Sequence, residues 1–318
     1  MISLPQLISE APLLLMEAAV VERLRRTPGL ALHQTLVNAP LIYDPAGREA
    51  MAEIYREYMT IATEASLPFL MCTPAWRCNQ ERVQGWAEER QLPTQSINED
   101  AVRFLQQLRQ EQSETPDSIY IGGMLGCKND CYRPEEALSS QHAETFHAWQ
   151  IDRLATAGVD FLIAETLPES GEALGIARAM QTTGLPYVIS FVIGRDGCIL
   201  DGHSLSEAID LIDSGVSRSP LGYMVNCAHP DFLSAETLPG RGDCRSGVEP
   251  GSETAGLIGF LANASSLSHA ELEASETVKV GDLAHWGRAM MRLNREFGVQ
   301  VLGGCCGTDA RHLRLLAG

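Results

Sequence analysis

Three cysteines in two separate segments have the surroundings expected of metal ligands. Cys305 and Cys306 are adjacent, with Gly303 and Gly304 before them and Gly307 after them. Adjacent cysteines rarely form a disulfide with each other, because the geometry is strained. Flanking glycines permit unusual backbone angles, which would let both sulfurs point at one cation. The motif therefore predicts metal binding or catalysis at this turn.

Cys227 is the third candidate ligand, and it follows Asn226 at the end of a separate apolar segment. Three thiolates leave one position of tetrahedral zinc open for a substrate or a water molecule, which is the arrangement of a catalytic zinc site. A single cysteine in a strand is more often a small buried residue. The sequence predicts Zn²⁺ bound by Cys227, Cys305 and Cys306. For Cys227, the alternative of a small buried residue without a functional role stays open.

The remaining cysteines and one histidine are weaker candidates. The chain has nine cysteines, and those outside the trio are expected to be mostly small buried side chains. Cys127 and Cys131 form a CxxxC pair that could bind a second metal or form a disulfide. His229 follows Cys227 by two residues and could approach the metal.

The elements that would position these residues alternate between short apolar runs and helical patterns. Apolar runs without alternation are typical of parallel strands that are covered on both faces. Eight such units favour a (β/α)₈ TIM barrel that forms one domain over residues 1–318. An open doubly wound sheet is the alternative, but no GxGxxG motif follows the first run. The predicted strands are Leu13–Met16, Pro68–Cys72, Ile119–Met124, Phe161–Glu165, Tyr187–Val192, Gly222–Ala228, Leu257–Ala264 and Gln300–Gly304.

Helical patterns lie between these strands, and two loops stand out. Glycines at 158 and 184 are expected just past helix ends, where a left-handed backbone is favoured. In a barrel, Cys127–Pro134 and Ser234–Ser252 become loops over the active-site rim, either as lids or as exposed excursions. The clearest predicted helices are Glu49–Ala65, Glu136–Ala157, Ser170–Thr182, Leu205–Asp213 and Leu283–Phe297.

The charge and the cysteine content limit the partners and the compartment. A net charge of −17 argues against nucleic acid and against an anionic membrane surface as partners. No positively charged leader precedes Arg23, the first basic residue, and no apolar run approaches the roughly 18 residues that a membrane span needs. An odd number of cysteines is unlike a secreted disulfide scaffold. We therefore expect a cytoplasmic protein with small-molecule substrates.

The motifs together resemble those of the homocysteine S-methyltransferase family, which includes enzymes that use S-methylmethionine, betaine or cobalamin. The resemblance rests on Asn226-Cys227, on Gly303–Gly307, and on Ala164–Pro168 with the sequence Ala-Glu-Thr-Leu-Pro. It implies a (β/α)₈ barrel whose three cysteines bind zinc, with the sulfur of homocysteine at the open position. It also implies that Glu165 holds the α-ammonium group of homocysteine, and that Asn226 braces neighbouring loops or contacts substrate. Glu165 could instead pair with an arginine or cap a helix.

The amino-terminal third departs from the pattern of that family. The family usually has an Asp-Gly pair after the first strand, where this chain has Glu17-Ala18. Glu17 would keep the charge on a longer side chain. After the second strand this chain has Thr73-Pro74-Ala75-Trp76-Arg77, where the family usually shows Thr-x-Ser-Tyr-Gln. Trp76 could face a methylated cationic donor or pack in the core, and Arg77 could meet a carboxylate. Glu17, Thr73 and Trp76 are predicted to bind substrate.

These observations predict a zinc-dependent methyltransferase that makes methionine from homocysteine, with S-methylmethionine or S-adenosylmethionine as the methyl donor. Three alternatives stay open: another thiol acceptor, a betaine-like or corrinoid-protein donor, and a barrel that binds zinc without catalysis. The departures around Glu17 and Trp76 motivate the non-catalytic alternative, and the cysteine trio opposes it. The oligomeric state is not predicted.

Overall fold

The computed structural model describes residues 2–91, 96–112, 116–237, 256–267, 271 and 281–318. Eight parallel strands pair in chain order, and pairing of the first with the eighth closes the sheet into a barrel. This architecture confirms the predicted TIM barrel. The strands are β1 Leu14–Met16, β2 Phe69–Cys72, β3 Ile119–Leu125, β4 Phe161–Leu167, β5 Tyr187–Phe191, β6 Gly222–Ala228, β7 Leu257–Ala262 and β8 Val301–Gly304.

Helices surround the barrel, and each predicted helix is present with its ends shifted by a few residues at most. Gly158 and Gly184 have positive φ angles of 87° and 78°, as predicted for residues just past helix ends. The helices are α1 Leu4–Glu10, α2 Val21–Arg25, α3 Pro45–Glu64, α4 Gln80–Glu89, α5 Ile97–Glu111, α6 Ser140–Thr156, α7 Ser170–Gln181, α8 Leu205–Gly215, α9 Leu283–Phe297 and α10 Ala310–Ala317.

The barrel interior forms its own apolar core, separate from the layer between strands and helices. Successive side chains of a strand point to opposite faces, so that each strand contributes to both cores. Leu14 and Met16 of β1 point inward, whereas Leu15 packs in the outer layer. The short helix α1 packs Leu4 and Leu7 against the inner core. The interior is thus filled by side chains, and substrates must bind at its rim.

Among the described residues, five helices lie outside the predicted set: α1, α2 and α10 have eight residues or fewer, whereas α5 has 15 residues, of which seven are buried. Helix α4 has the sequence QERVQGWAEE, in which only three residues are buried. Its amino end is capped by Asn79, whose side chain accepts a hydrogen bond from the Arg82 amide at 3.1 Å. No helix in the described part of the chain is long and apolar enough to cross a membrane. The predicted loop Ser234–Ser252 lies outside the described residues from position 238 onward.

Candidate metal centre and substrate cavity

The barrel brings the three candidate ligands together at one rim. Cys227 is the penultimate residue of β6, while Cys305 and Cys306 directly follow β8. Their sulfur atoms all lie within 4.8 Å of one another. Within the described residues, no other group of three cysteine, histidine or acidic side chains meets this spacing. Three sulfur donors facing one point match the ligand set of zinc, so the residues present fit that metal.

The sulfur atoms of Cys227 and Cys305 are in direct contact, close enough for a disulfide, whereas Cys306 is a free thiol. Zinc is bound by thiolates, and a disulfide offers none. All three cysteines must therefore be in the reduced form to bind the metal together.

The ends of β4 and β6 hold unusual backbone conformations next to the cysteines. Thr166 and Cys227 have φ angles of 61° and 53°, in the left-handed region that non-glycine residues seldom adopt. The strand register shifts at both places, between Ala164 and Leu167 and between Asn226 and Ala228. Such a bulge redirects side chains.

Asn226 links the two strand ends, as its predicted bracing role requires. Its side-chain oxygen accepts hydrogen bonds from the Thr166 amide at 2.9 Å and from the Ser190 hydroxyl at 2.7 Å. Its amide nitrogen donates to the Thr166 hydroxyl at 2.6 Å and approaches the Cys227 sulfur at 3.6 Å. The side chain is fully buried although it borders the cavity.

The turn that carries Cys305 and Cys306 needs its glycines mainly for close packing. A Cβ atom on Gly304 would lie 2.2 Å from the Thr308 hydroxyl, and one on Gly303 would lie 2.8 Å from the backbone oxygen of Glu17. Only Gly307 of the three has a positive φ, at 80°. The prediction that all these glycines supply unusual backbone angles is therefore wrong for Gly303 and Gly304, which admit neighbouring atoms instead.

One side chain of the turn itself and one of α2 fix this turn. The Thr308 hydroxyl donates to the backbone oxygen of Cys305 at 2.6 Å. The amide of Gly307 donates to the carboxylate of Glu22, which also pairs with Arg26 at 2.8 Å. The turn is thus held by its own threonine and by a carboxylate of α2.

A cavity of about 560 Å³ opens beside the three cysteines. This volume suits a small ligand, since pockets for drug-sized molecules range from about 300 to 1,000 Å³. Acidic, aromatic and amide side chains share its wall with the cysteines: Glu17, Trp76, Tyr132, Glu165, Asn226 and Asn263.

Two carboxylates of the cavity wall are poorly solvated. Desolvation raises the pKa of Glu165 to about 7. Burial also raises the pKa of Glu17 well above its usual value, against a hydrogen bond from the Cys72 amide at 2.6 Å that lowers it. Within the described residues neither carboxylate forms an ion pair. A cationic ligand group would supply the missing counter-charge.

Trp76 lines the cavity, as its predicted contact with substrate requires. Its indole N–H donates to the backbone oxygen of Glu165 at 3.2 Å. The guanidinium of Arg77 lies 4.1 Å from the centre of the indole ring and donates to the backbone oxygens of Cys127, at 3.0 Å, and Asn129, at 2.5 Å. Arg77 therefore holds the loop after β3 instead of meeting a substrate carboxylate.

Thr73 does not reach the cavity wall as the structure describes it. It is fully buried, and its hydroxyl accepts a hydrogen bond from the Met124 amide at 3.0 Å. Thr73 therefore ties β2 to β3, in place of the predicted contact with substrate. His229 also stays apart from the cysteine sulfurs: its Nδ1 atom accepts from the Asp231 amide at 3.3 Å. Cys127 and Cys131 are free buried thiols.

Sequence reasoning missed Asn263 and Tyr132, which both line the cavity. Asn263 directly follows β7, so a polar residue at the end of a barrel strand was the available signal. Tyr132 lies in the predicted loop Cys127–Pro134, which turns out to form part of the cavity wall. No local pattern distinguishes it from other loop residues.

Comparison with known proteins places this barrel among methyltransferases. A sequence profile of the family described as homocysteine S-methyltransferase matches residues 14–318. Betaine–homocysteine S-methyltransferase 1 of Rattus norvegicus is 24% identical over 295 residues, which cover 85% of this chain and 63% of that protein. The S-methylmethionine–homocysteine S-methyltransferase BHMT2 of Mus musculus is 24% identical over 221 residues, covering 66% and 57% of the two chains. The chain thus spans less than two thirds of the length of these relatives.

Solved structures agree on the fold. The oxidised form of the homocysteine methyltransferase MmuM from Escherichia coli superposes with a TM-score of 0.70 at 17% identity, covering 98% of this chain and 97% of that one. The metallated form of the same protein gives a TM-score of 0.68 at 18% identity and covers 98% of both chains. These likenesses show a shared barrel.

Proposed function

The chain belongs to the homocysteine S-methyltransferase family, and from this premise we propose that it methylates the thiol of homocysteine to give methionine. The observation that carries the proposal is the meeting, in one cavity, of three cysteine sulfurs with two carboxylates that have no ion pair within the described residues. The onium donor we propose is S-methylmethionine or S-adenosylmethionine. Residues 1–318 would act as one domain.

We propose that reduced Cys227, Cys305 and Cys306 hold zinc, as their spacing and chemistry allow. A metallated form of the Escherichia coli relative with the same fold supports this assignment. When bound, zinc supplies a Lewis acid that lowers the pKa of a thiol, so that the acceptor is a thiolate at neutral pH.

Glu165 and Glu17 would hold the acceptor by its ammonium group. Each carboxylate lines the cavity and has no ion pair within the described residues. A bound ammonium offsets the desolvation that raises their pKa values and keeps both carboxylates ionised. This contact would fix the amino-acid end of homocysteine and leave its sulfur to face the cysteines.

The transfer itself makes one bond and breaks another. The acceptor sulfur bonds to the methyl carbon as the bond from that carbon to the onium atom of the donor breaks, and the electron pair stays with the donor. The thiol proton goes to solvent, so no side chain has to act as a base on the methyl group. The part of the protein is to align the two substrates, and alignment alone accounts for a large share of such barriers. Trp76 would form the wall on the donor side, where its indole can attract a methylated cation.

The proposal is tested by metal analysis together with a thiol-loss assay. Protein purified without added zinc, under reducing conditions, is compared with its Cys305→Ala variant for zinc content and for consumption of homocysteine with S-methylmethionine. We expect about one zinc per chain and methionine formation, both lost in the variant. Zinc without methionine would contradict the proposed substrates. An absence of zinc after reconstitution would contradict the centre itself.

A betaine-like donor is the second candidate, because rat betaine–homocysteine S-methyltransferase 1 matches over 85% of this chain. Parallel assays with betaine, S-adenosylmethionine and S-methylmethionine separate the two. Turnover with betaine alone would favour the second candidate. Zinc binding with no turnover on any donor, nor with a methylated corrinoid protein, would favour a non-catalytic barrel.

A further inference from the structure

Asn263 occupies the gap between the two segments that carry the cysteines. It directly follows β7, which lies between β6 and β8 in the barrel. Its side-chain oxygen accepts a hydrogen bond from the amide of Cys306 at 3.1 Å. Its side-chain nitrogen donates to the backbone oxygen of Cys227 at 2.9 Å. One amide group therefore bridges the backbones of two candidate ligands.

The orientation of this amide is fixed by its partners. A backbone N–H of Cys306 can only donate, and the carbonyl oxygen of Cys227 can only accept. The side-chain oxygen of Asn263 must therefore face Cys306, and its side-chain nitrogen must face Cys227. The side chain is 2% exposed, so water does not compete for these bonds. Removing the side-chain amide would leave the buried carbonyl oxygen of Cys227 and the half-buried N–H of Cys306 without this partner.

The backbone of Asn263 is itself fixed by hydrogen bonds to neighbouring elements. The indole N–H of Trp286, in α9, donates to the backbone oxygen of Asn263 at 3.0 Å. Trp286 is almost fully buried and meets the ring of His312, in α10, edge to face with centres 4.8 Å apart. The backbone N–H of Asn263 donates to the backbone oxygen of Ala228 at 2.8 Å. The bridging group is thus attached to rigid elements.

Rigid attachment matters because the ligands differ in how they are held. Cys227 lies within a strand, whereas Cys306 lies on an exposed turn and is exposed itself. A zinc–sulfur bond is about 2.3 Å long, and metal sites tolerate errors of only about 0.2 Å. A turn free to move would lose that spacing. The amide of Asn263 ties the turn to β6.

We propose that Asn263 is a positioning residue that sets the spacing and direction of Cys227 and Cys306 for the metal. This inference rests on the proposed zinc centre and extends it to a side chain that supplies no ligand atom. Groups that orient metal ligands typically change metal affinity by 10- to 100-fold when they are replaced. Asn263 acts through backbone atoms of the ligands, so its loss should alter coordination geometry as well as affinity.

The test compares Asn263→Ala with a matched control, Asn98→Ala. Asn98 is also a fully buried amide that bridges two groups: it donates to the backbone oxygen of Cys78 at 3.0 Å and accepts from Gln150 at 3.4 Å. Zinc affinity is measured on reduced protein by competition with a chromophoric chelator, and geometry is read from the visible spectrum of the Co²⁺-loaded protein. We expect Asn263→Ala to weaken zinc binding by about 10- to 100-fold and to change the cobalt spectrum. Asn98→Ala should lower stability and leave both readouts unchanged.

The outcomes separate this inference from the proposed function. Wild-type protein that binds no zinc overturns the centre and the inference together. Wild-type affinity and spectrum in folded Asn263→Ala overturn the inference alone. If Asn263→Ala does not fold, Asn263→Ser keeps one hydroxyl that can reach only one of the two partners, and we expect an intermediate loss of affinity. Affinity equal to wild type in the serine variant would also overturn the inference.

Discussion

The negative charge of Glu165 opposes ionisation of Glu17 across the substrate cavity, and it adds to the larger effect of burial on the pKa of Glu17. The two carboxylates come from β4 and from the segment after β1, far apart in sequence. Within the described residues neither carboxylate has an ion-pair partner, and this suits a ligand that brings one positive charge. In the ligand-free protein the ionised forms of these buried carboxylates are unfavourable, so they lower the free energy of unfolding.

We expect Glu165→Gln to stabilise the ligand-free protein at alkaline pH. The pKa of Glu165 is about 7 in the folded protein against a usual value of 4.5, so the folded state holds a proton that the unfolded state has lost between these values. Wild-type stability therefore falls as pH rises through this window and levels off above it. The variant should be more stable by on the order of 1–3 kcal/mol at about pH 8, and the difference should shrink toward about pH 5.

Urea unfolding at the two pH values measures this difference. Glu53→Gln, at an exposed position of α3, is the control and should show no such dependence. A stability gain of equal size at both pH values would contradict the explanation from Glu165 ionisation.

Glu165→Gln should also weaken binding of an amino-acid thiol. A hydrogen bond to a charged group contributes about 1.5–3 kcal/mol, so we expect KM for homocysteine to rise by about 10- to 100-fold. The KM of the methyl donor should change little. Initial rates with homocysteine and with 4-mercaptobutyrate, which is homocysteine without the amino group, distinguish the contact. An equal rise in KM for both thiols would show that Glu165 does not hold the ammonium group.

Cys306→Ala should remove the metal and the activity together. Cys306 is the exposed member of the trio, and its removal leaves only two sulfur ligands, Cys227 and Cys305. We expect zinc content near zero and no measurable methyl transfer, as judged by metal analysis and methionine formation. Cys198→Ala removes a thiol outside the trio and should leave both unchanged. Turnover that survives in Cys306→Ala would count against the zinc–thiolate proposal.

Trp76→Leu should raise the KM of the methyl donor more than Trp76→Phe does. Phenylalanine keeps an aromatic face but loses the indole N–H that donates to Glu165, whereas leucine loses both. An aromatic face contributes about 0.5–2 kcal/mol to cation binding, so we expect a rise of about 2- to 30-fold for leucine. Donor KM at saturating homocysteine is the measurement. A rise confined to homocysteine KM would place Trp76 on the acceptor side instead.

Much of the fold follows from local sequence, because the barrel strands are buried on both faces. Tyr187–Phe191 and Gly222–Ala228 are buried along their entire length, so apolar residues mark them clearly. Helix α4 presents mostly polar residues and depends on a side-chain cap, which makes its pattern weak. The predicted end of β7 at Ala264 is two residues late, because Asn263 already leaves the strand to bridge its neighbours.

The site is predictable only where residue type fixes the chemistry. Two adjacent cysteines between glycines have few other uses, so Cys305 and Cys306 stand out. Arg77 could not be placed, since whether a guanidinium meets a substrate or the loop carbonyls of Cys127 and Asn129 depends on how loops fold over the rim. Thr73 carries the same ambiguity, because one residue of register decides between the cavity and the strand interface.

The left-handed backbone at Thr166 and Cys227 has an evolutionary consequence. Each such conformation costs on the order of 1–3 kcal/mol in a residue that has a side chain, and a β-branched threonine is especially disfavoured. Selection for stability alone would replace both residues by glycine or asparagine. A homologue that had lost the activity of this rim would be free to make those substitutions. Retention of threonine and cysteine at these two positions would therefore distinguish active homologues from inactive ones.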